Sequence, residues 1–189
     1  RTFYEKPELN NPKGRPVKIF VPGYAETTKT VVSEPVEFTT HAALATHVGY
    51  KSTIYETISN LKPQFAAGVG SIPIVYFPVA VTTGVAALGD VTPVGTCSFS
   101  QTYRVKINNK PSGNIDMIAT EAVADFIGKA VTACNGVLDM PMTASDGTTT
   151  LDFVAGFYTD AGDHLYIEIE SPVDAEMTFS MTQPTGGGG

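Results

Sequence analysis

TEAVADFIGKAVTACNG, residues 120–136, is the stretch on which the fold turns. Val123, Phe126, Ile127, Ala130, Val131 and Cys134 recur at steps of three and four residues, which places them on one face of an α-helix. Glu121, Asp125, Lys129 and Thr132 fall on the opposite face, with Asp125 and Lys129 at ion-pair spacing. The pattern predicts a helix over 121–135 that begins near Thr120 and is stopped by a left-handed residue at Asn135-Gly136. Gly128 lies inside it at a cost of roughly 1 kcal/mol relative to Ala, and is read as a point of close packing on a sheet. Each large side chain buried on the apolar face contributes ~1.5–3 kcal/mol, which outweighs that cost.

Outward from this helix the period changes from helical to alternating. Phe99, Tyr103, Val105 and Ile107 largely alternate with polar residues and lead into an Asn108-Asn109 turn. Ile115 and Met117, extended to Ala119, give a second short strand. Beyond the helix, Met140–Ala144, Thr149–Phe157, Leu165–Ile169 and Met177–Met181 read as four strands, and Asp146-Gly147 is the strongest hairpin signal. Residues 86–183 are therefore expected to form an α+β domain in which one helix covers a mainly antiparallel sheet.

The first half reads differently. Residues 1–16 are polar and rich in Pro and Asn, an extended arm. Val17–Val21 is a strand expected to stop at Pro22-Gly23, and Thr30–Val36 a second one interrupted by Pro35. A short helix follows from Thr39 or Thr40, a good N-cap, to Gly49. Thr53 and Glu56 then have capping-box spacing ahead of an apolar stripe of Ile54, Ile58, Leu61 and Phe65 that Pro63 ends or kinks. Ile72–Val81 is an apolar run whose length says buried strand and whose Pro73 and Pro78 say edge or strand end. Residues 17–85 thus read as a small α/β layer. Thr82–Gly95, with Gly84, Gly89, Pro93 and Gly95 among small residues, reads as a boundary, and 184–189 as a Gly-rich linker. Arg1 in place of Met and the closing Gly186–Gly189 read as cuts through a longer protein.

Composition narrows the function. Of 189 residues 42% are hydrophobic, enough for a packed core, and only 16% are charged, which leaves fairly neutral surfaces that are easily buried against copies of the chain. The net charge of −7, with twelve scattered Lys and Arg, disfavours nucleic acid and anionic membranes as partners. No apolar run approaches the ~18–20 residues that span a bilayer, so no membrane anchor is expected.

A reagent list for catalysis is short. Cys97 and Cys134 have neither metal-ligand nor redox spacing and are read as buried free thiols. His41 and His47, six residues apart, do not share a helical face, and His164 stands alone beside Asp163; each is read as solvated or locally hydrogen-bonded. Gly68-Val69-Gly70 follows a helix and precedes a strand, the reverse of a dinucleotide fingerprint, and is read as a turn. Asp160, Asp163 and Glu170 lack calcium-loop spacing and read as a solvated acidic turn. No catalytic, cofactor-binding or metal-ligating residue is assigned, and no cofactor is expected. Two rivals stay open at this point. A hydrolase would draw on Asp146, Asp152 or His164, and an extracellular adhesin or carbohydrate-binding module would use an aromatic platform of Phe157, Tyr158 and Tyr166.

The order of segments carries a resemblance. Tyr103-Arg104-Val105-Lys106-Ile107-Asn108-Asn109, the strand Ile115–Thr120, the helix Glu121–Asn135, Met140-Pro141-Met142-Thr143-Ala144 and the hairpin Thr148–Phe153 resemble the inserted domain of Mu-like contractile bacteriophage tail sheath proteins. Asn109 stands where that family has a glycine, and the family's Gly-Asn-Asp stretch after the hairpin has no clear counterpart at Tyr158–Asp163. Val17–Gly23 is similar to the family's opening core strand, Pro35–Gly49 to its "Pro-Val-x-Phe … Phe-Gly" segment with Val48 in place of Phe, and Ile54–Val79 to its helix and hydrophobic strand. Pro184–Gly189 resembles the return from the insertion. The resemblance implies a structural virion subunit without enzymatic activity. Such a subunit assembles in the host cytoplasm, polymerises with copies of itself around the tail tube protein above a baseplate, and contracts to drive the tube into the host. It also implies that this segment alone is monomeric, because the lattice-linking parts of such proteins lie largely in their terminal regions.

Overall fold

The computed structural model describes residues 18–63, 72–81 and 83–188. The arm over 1–16, Val17, Phe65 and the Gly68–Gly70 turn lie outside the described residues. The chain is α+β, 22% helical and 36% strand, so neither class dominates.

The first unit contains β1 (Ile19–Tyr24), β2 (Val36–Glu37), α1 (His41–Val48), α2 (Thr53–Leu61) and β3 (Ile74–Val79). Its sheet has the order β1-β3-β2, with β1 parallel and β2 antiparallel to the central β3. Of two expectations about prolines, one is corrected and one holds. β1 runs through Pro22-Gly23 rather than stopping there: it is an edge strand, where a missing donor is tolerated, and a side chain on Gly23 would strike Thr53 Oγ1 at 2.7 Å. β3 is the central strand rather than an edge, and its prolines mark strand ends: Pro73 immediately precedes it, and Pro78, next to its last residue, lies beyond the pairing of β2 with Val75 and Tyr76. Of the Thr30–Val36 strand only Val36 survives, joined by Glu37 on the far side of Pro35.

Thr40 caps α1 by accepting from Ala43 N at 3.1 Å, and Gly49 closes it at φ +89°. The cap of α2 is Ser52, whose Oγ accepts from Tyr55 N at 3.0 Å, not Thr53. Thr53 Oγ1 instead accepts from Tyr24 N at 2.8 Å and ties the helix to the end of β1. Leu44, Val48, Ile54 and Ile58 pack with Val21, Ile74 and Tyr76 to form this unit's core on one face of the sheet.

The second unit runs β4 (Leu88–Val94), β5 (Gln101–Ile107), β6 (Lys110–Pro111), β7 (Ile115–Met117), α3 (Val123–Asn135), β8 (Met142–Asp146), β9 (Leu151–Ala155), a 3-10 turn (Asp160–His164), β10 (Ile167–Glu170) and β11 (Thr178–Thr185). It holds two antiparallel sheets rather than one, β11-β4-β9-β8 and β10-β5-β6 with β7 also on β5. Both turn apolar faces into a single core, which α3 helps to close. Tyr103 and Phe126 in this core and the half-buried Phe179 meet edge-on or tilted, with ring centroids 5.0–5.8 Å apart. The segment read as a boundary contains β4, an inner strand, and Pro184-Thr185 belong to β11 rather than to a linker. Phe99 lies outside β5 and is 43% exposed.

Asn108 and Asn109 both take positive φ, 50° and 64°, as a two-residue hairpin turn requires. The stripe of α3 buries Phe126, Ile127, Ala130 and Cys134 as its spacing demands, but three details differ from expectation. Asp125 accepts from Ala122 N at 3.0 Å, so Lys129 pairs instead with Glu121 at 2.5 Å and donates to Asp116 O at 2.7 Å. Gly136 has φ −69°, so the helix ends by tightening, with Val137 N donating to Cys134 O, and not by a left-handed stop. Gly128 faces open space, with nothing within 4 Å of a side chain placed there.

The two units touch along a short seam. Thr27 N donates to Gly156 O at 2.9 Å, Lys51 Nζ donates to Thr143 Oγ1, and a side chain on Gly156 would meet Lys51 Cβ at 2.6 Å. Burial pushes the Lys51 ammonium below the usual lysine range against the attraction of Glu26. Val85 and Gly188 exchange two backbone hydrogen bonds of 2.7 and 3.0 Å, so the second unit begins and ends at one place. Among the described residues no helix is long and apolar enough to cross a membrane.

Candidate functional site

The side chains singled out for chemistry are spread over separate structural duties. Asp146 Oδ1 accepts from Thr148 N at 2.7 Å and Asp152 Oδ1 accepts from Thr150 Oγ1 at 2.6 Å, so both carboxylates serve the β8–β9 hairpin. His164 ends the 3-10 turn and is exposed. Within that turn Asp163 Oδ1 accepts from Gly187 N at 2.8 Å, while Glu170 pairs with Lys106 at 3.3 Å. Among the described residues no group of three or more His, Cys, Asp or Glu is placed to hold a metal ion.

His47 Nδ1 lies 2.9 Å from the Tyr76 hydroxyl, the local hydrogen bond expected of it. His41 departs from expectation: its ring is wedged edge-on between Phe38 and Tyr55, and its buried Nε2 has no partner. Cys97 and Cys134 are both buried and unpaired. Burial pushes the Cys134 thiol up to about 12 and raises that of Cys97, so both are held as unreactive thiols.

The aromatic platform is not assembled. Phe157 is a core residue at 2% exposure and Tyr158 packs against the same core, which leaves Tyr166 exposed.

Three surfaces escaped sequence reasoning because each depends on long-range pairing. The first is the face of the β1-β3-β2 sheet turned away from α1 and α2. Phe20 there is 56% exposed, with its ring centroid 6.2 Å from that of Phe77 and the exposed Pro22 beside it. Parallel strands in α/β layers usually have both faces covered, and among the described residues no helix lies on this one. The unbroken apolar run Ile72–Val81, with no polar alternation, was the signal of two apolar faces.

The second surface is the outer face of the β11-β4-β9-β8 sheet. Register places Thr182, Asp90, Asp152 and Ser145 in one row across its four strands, with Asp90 directly opposite Asp152. None of these strands carries a Lys, Arg or His, so the two carboxylates face each other without a cation on their own sheet.

The third is a cleft of about 270 Å³ where α2 meets the Asn108-Asn109 turn. Glu56, Ser59, Asn60, Asn109 and the Lys110–Asp139 pair line it. The Ser59 hydroxyl is buried without a hydrogen-bond partner. The arrangement offers polar contacts, and no nucleophile–base pair is assembled in it.

No protein-family model matches the chain, and no curated protein matches it in sequence.

Proposed function

We propose that this chain is part of a contractile tail sheath subunit, comprising the start of its core domain and an inserted outer domain. The observation that carries the reading is the Val85–Gly188 bridge. A domain inserted into another must leave and return at one point, and residues 86–187 do so, with a core drawn from their own residues. The order of elements on which the resemblance rests adds support, as does the half-covered β1-β3-β2 sheet, which suits a layer that other parts of a subunit would complete. On this reading the protein acts by assembling with copies of itself around the tail tube protein and on a baseplate, as part of a virion tail. The work of contraction comes from bistable contacts between subunits. The adhesin or carbohydrate-binding alternative retains one exposed aromatic, Tyr166, of the three it would use.

Negative-stain electron microscopy of the full-length parent protein, purified without its tail partners, tests the proposal. Long hollow cylinders with a helical repeat are expected. Particles that stay monomeric at high concentration would count against a sheath and direct attention to glycan binding.

A further inference from the structure

β8 is an end strand of the β11-β4-β9-β8 sheet, and beyond the carboxylate of Asp146 at its end and α3 packed beside it, its sequence, MTASD, carries no edge protection of its own. Natural edges are blunted by charged side chains, Lys above all, by Pro, bulges or very short strands, or by a helix or loop laid over them. β8 has five residues, no Lys, no Pro and an unbroken register with β9 from Met142 to Asp146. In an antiparallel ladder alternate residues turn both backbone groups away from the partner strand. Ala144, the middle residue of β8, is one of these, and both of its outward groups are taken by a single side chain. Ala144 N donates to Asn135 Oδ1 at 3.0 Å, and Asn135 Nδ2 donates to Ala144 O at 2.8 Å.

The amide of Asn135 therefore reproduces what a backbone residue of a neighbouring strand would present. Among the described residues the same device recurs where Gln183 takes both backbone groups of Ile167 on β10, at 2.8 and 2.9 Å, across the join between the two sheets. The two cases differ in what lies outside them. Ile167 is fully buried and the Gln183 bonds stitch β11 to β10, whereas Asn135 is exposed at the last residue of α3 and stands between β8 and solvent.

We infer that Asn135 is a strand surrogate that keeps β8 from pairing with β8 of a second copy. Without it, two β8 edges related by a two-fold axis would present Ala144 to Ala144 and join their sheets into one continuous antiparallel sheet, an isologous and closed pairing. The inference goes beyond the sheath reading and does not depend on it, since it concerns only how this chain avoids self-association.

The test is the Asn135→Ala substitution in the 189-residue chain, read by sedimentation velocity and by amide exchange at Ala144 over a concentration series. The native chain is expected to sediment as a monomer with Ala144 protected at every concentration. The variant is expected to double in mass as concentration rises, with Ala144 protection lost when dilute and regained when concentrated. A folded variant that stays monomeric overturns the inference, and so does one that associates while Ala144 exchanges freely. Asn135→Ser, whose hydroxyl is too short to span both groups, gives the same reading should Asn135→Ala fail to fold.

Discussion

Asparagine in place of Asp90 is expected to stabilise the protein, a reversal of the usual effect of substitution inside a sheet. Asp90 sits on β4 directly opposite Asp152 on β9, with Thr182 and Ser145 as the outer neighbours in the row. Directly opposed side chains on one face lie ~5 Å apart, and like charges there are destabilising. Two unit charges at that separation in water repel by about 0.8 kcal/mol. A screening length of about 8 Å at physiological ionic strength reduces this to roughly 0.4 kcal/mol, and one of about 3 Å near 1 M leaves under about 0.2 kcal/mol. Asn is the right probe because it keeps the shape of Asp and removes only the charge, while Asp152 keeps its bond from Thr150. Urea unfolding at low, physiological and high salt should show a gain that shrinks in that order. Asp152→Asn added to Asp90→Asn should bring little more, since one charge already suffices to end the repulsion. A variant that is neutral or destabilised at low salt, or a gain indifferent to salt, would refute the reasoning.

Three further outcomes follow from the packing. Phe126→Ala opens a cavity beside Tyr103 and Phe179 and is expected to cost ~3–5 kcal/mol, seen as a lowered urea midpoint of the second unit. Gly156→Val drives a side chain into Lys51 and is expected to cost ~1–3 kcal/mol, with faster amide exchange at Thr27 but unchanged protection at Val105 and Phe153; slowed or unchanged exchange at Thr27 would contradict the seam. Cys134 has its folded pKa raised from 9.0 to about 12, so its unfolded state loses the proton first. Its contribution is therefore whole below pH 9.0 and is lost as pH rises toward about 12, and Cys134→Ala should flatten the alkaline fall in stability.

What was legible in the residues was whatever depends on near neighbours. The stripe from Val123 to Cys134, the Asn108-Asn109 turn and the Asp146-Gly147 hairpin all report chain geometry within a dozen residues, and each stands where its pattern placed it. The division into two sheets was not legible, because it rests on β4 pairing with β11 some ninety positions later, with Leu88 opposite Thr185. Small polar side chains misled for a related reason. Thr53 has the capping-box spacing, yet Ser52 makes the cap, because Tyr24 offers Thr53 a backbone donor that no local pattern reveals. Asn135 was read as a helix stop, and α3 does end there, but its amide is also committed to Ala144 nine residues away. The aromatic trio split along the same line: alternation cannot tell whether Phe157 or Tyr166 faces the second sheet, and only Phe157 is in the core.

The Val85–Gly188 bridge has a mechanical consequence. The unit's first and last strands lie antiparallel, with Leu88 and Thr185 nearest the bridge. Tension applied between the two ends acts across the β4–β11 hydrogen bonds, which run perpendicular to the strands, and reaches them one pair at a time. The ladder would peel like a zipper instead of resisting in shear, so the second unit gives way at low force however stable its core is in solution. Such an element is suited to a place where little tension acts between residues 85 and 188, because the two hydrogen bonds that join them would be the first to part.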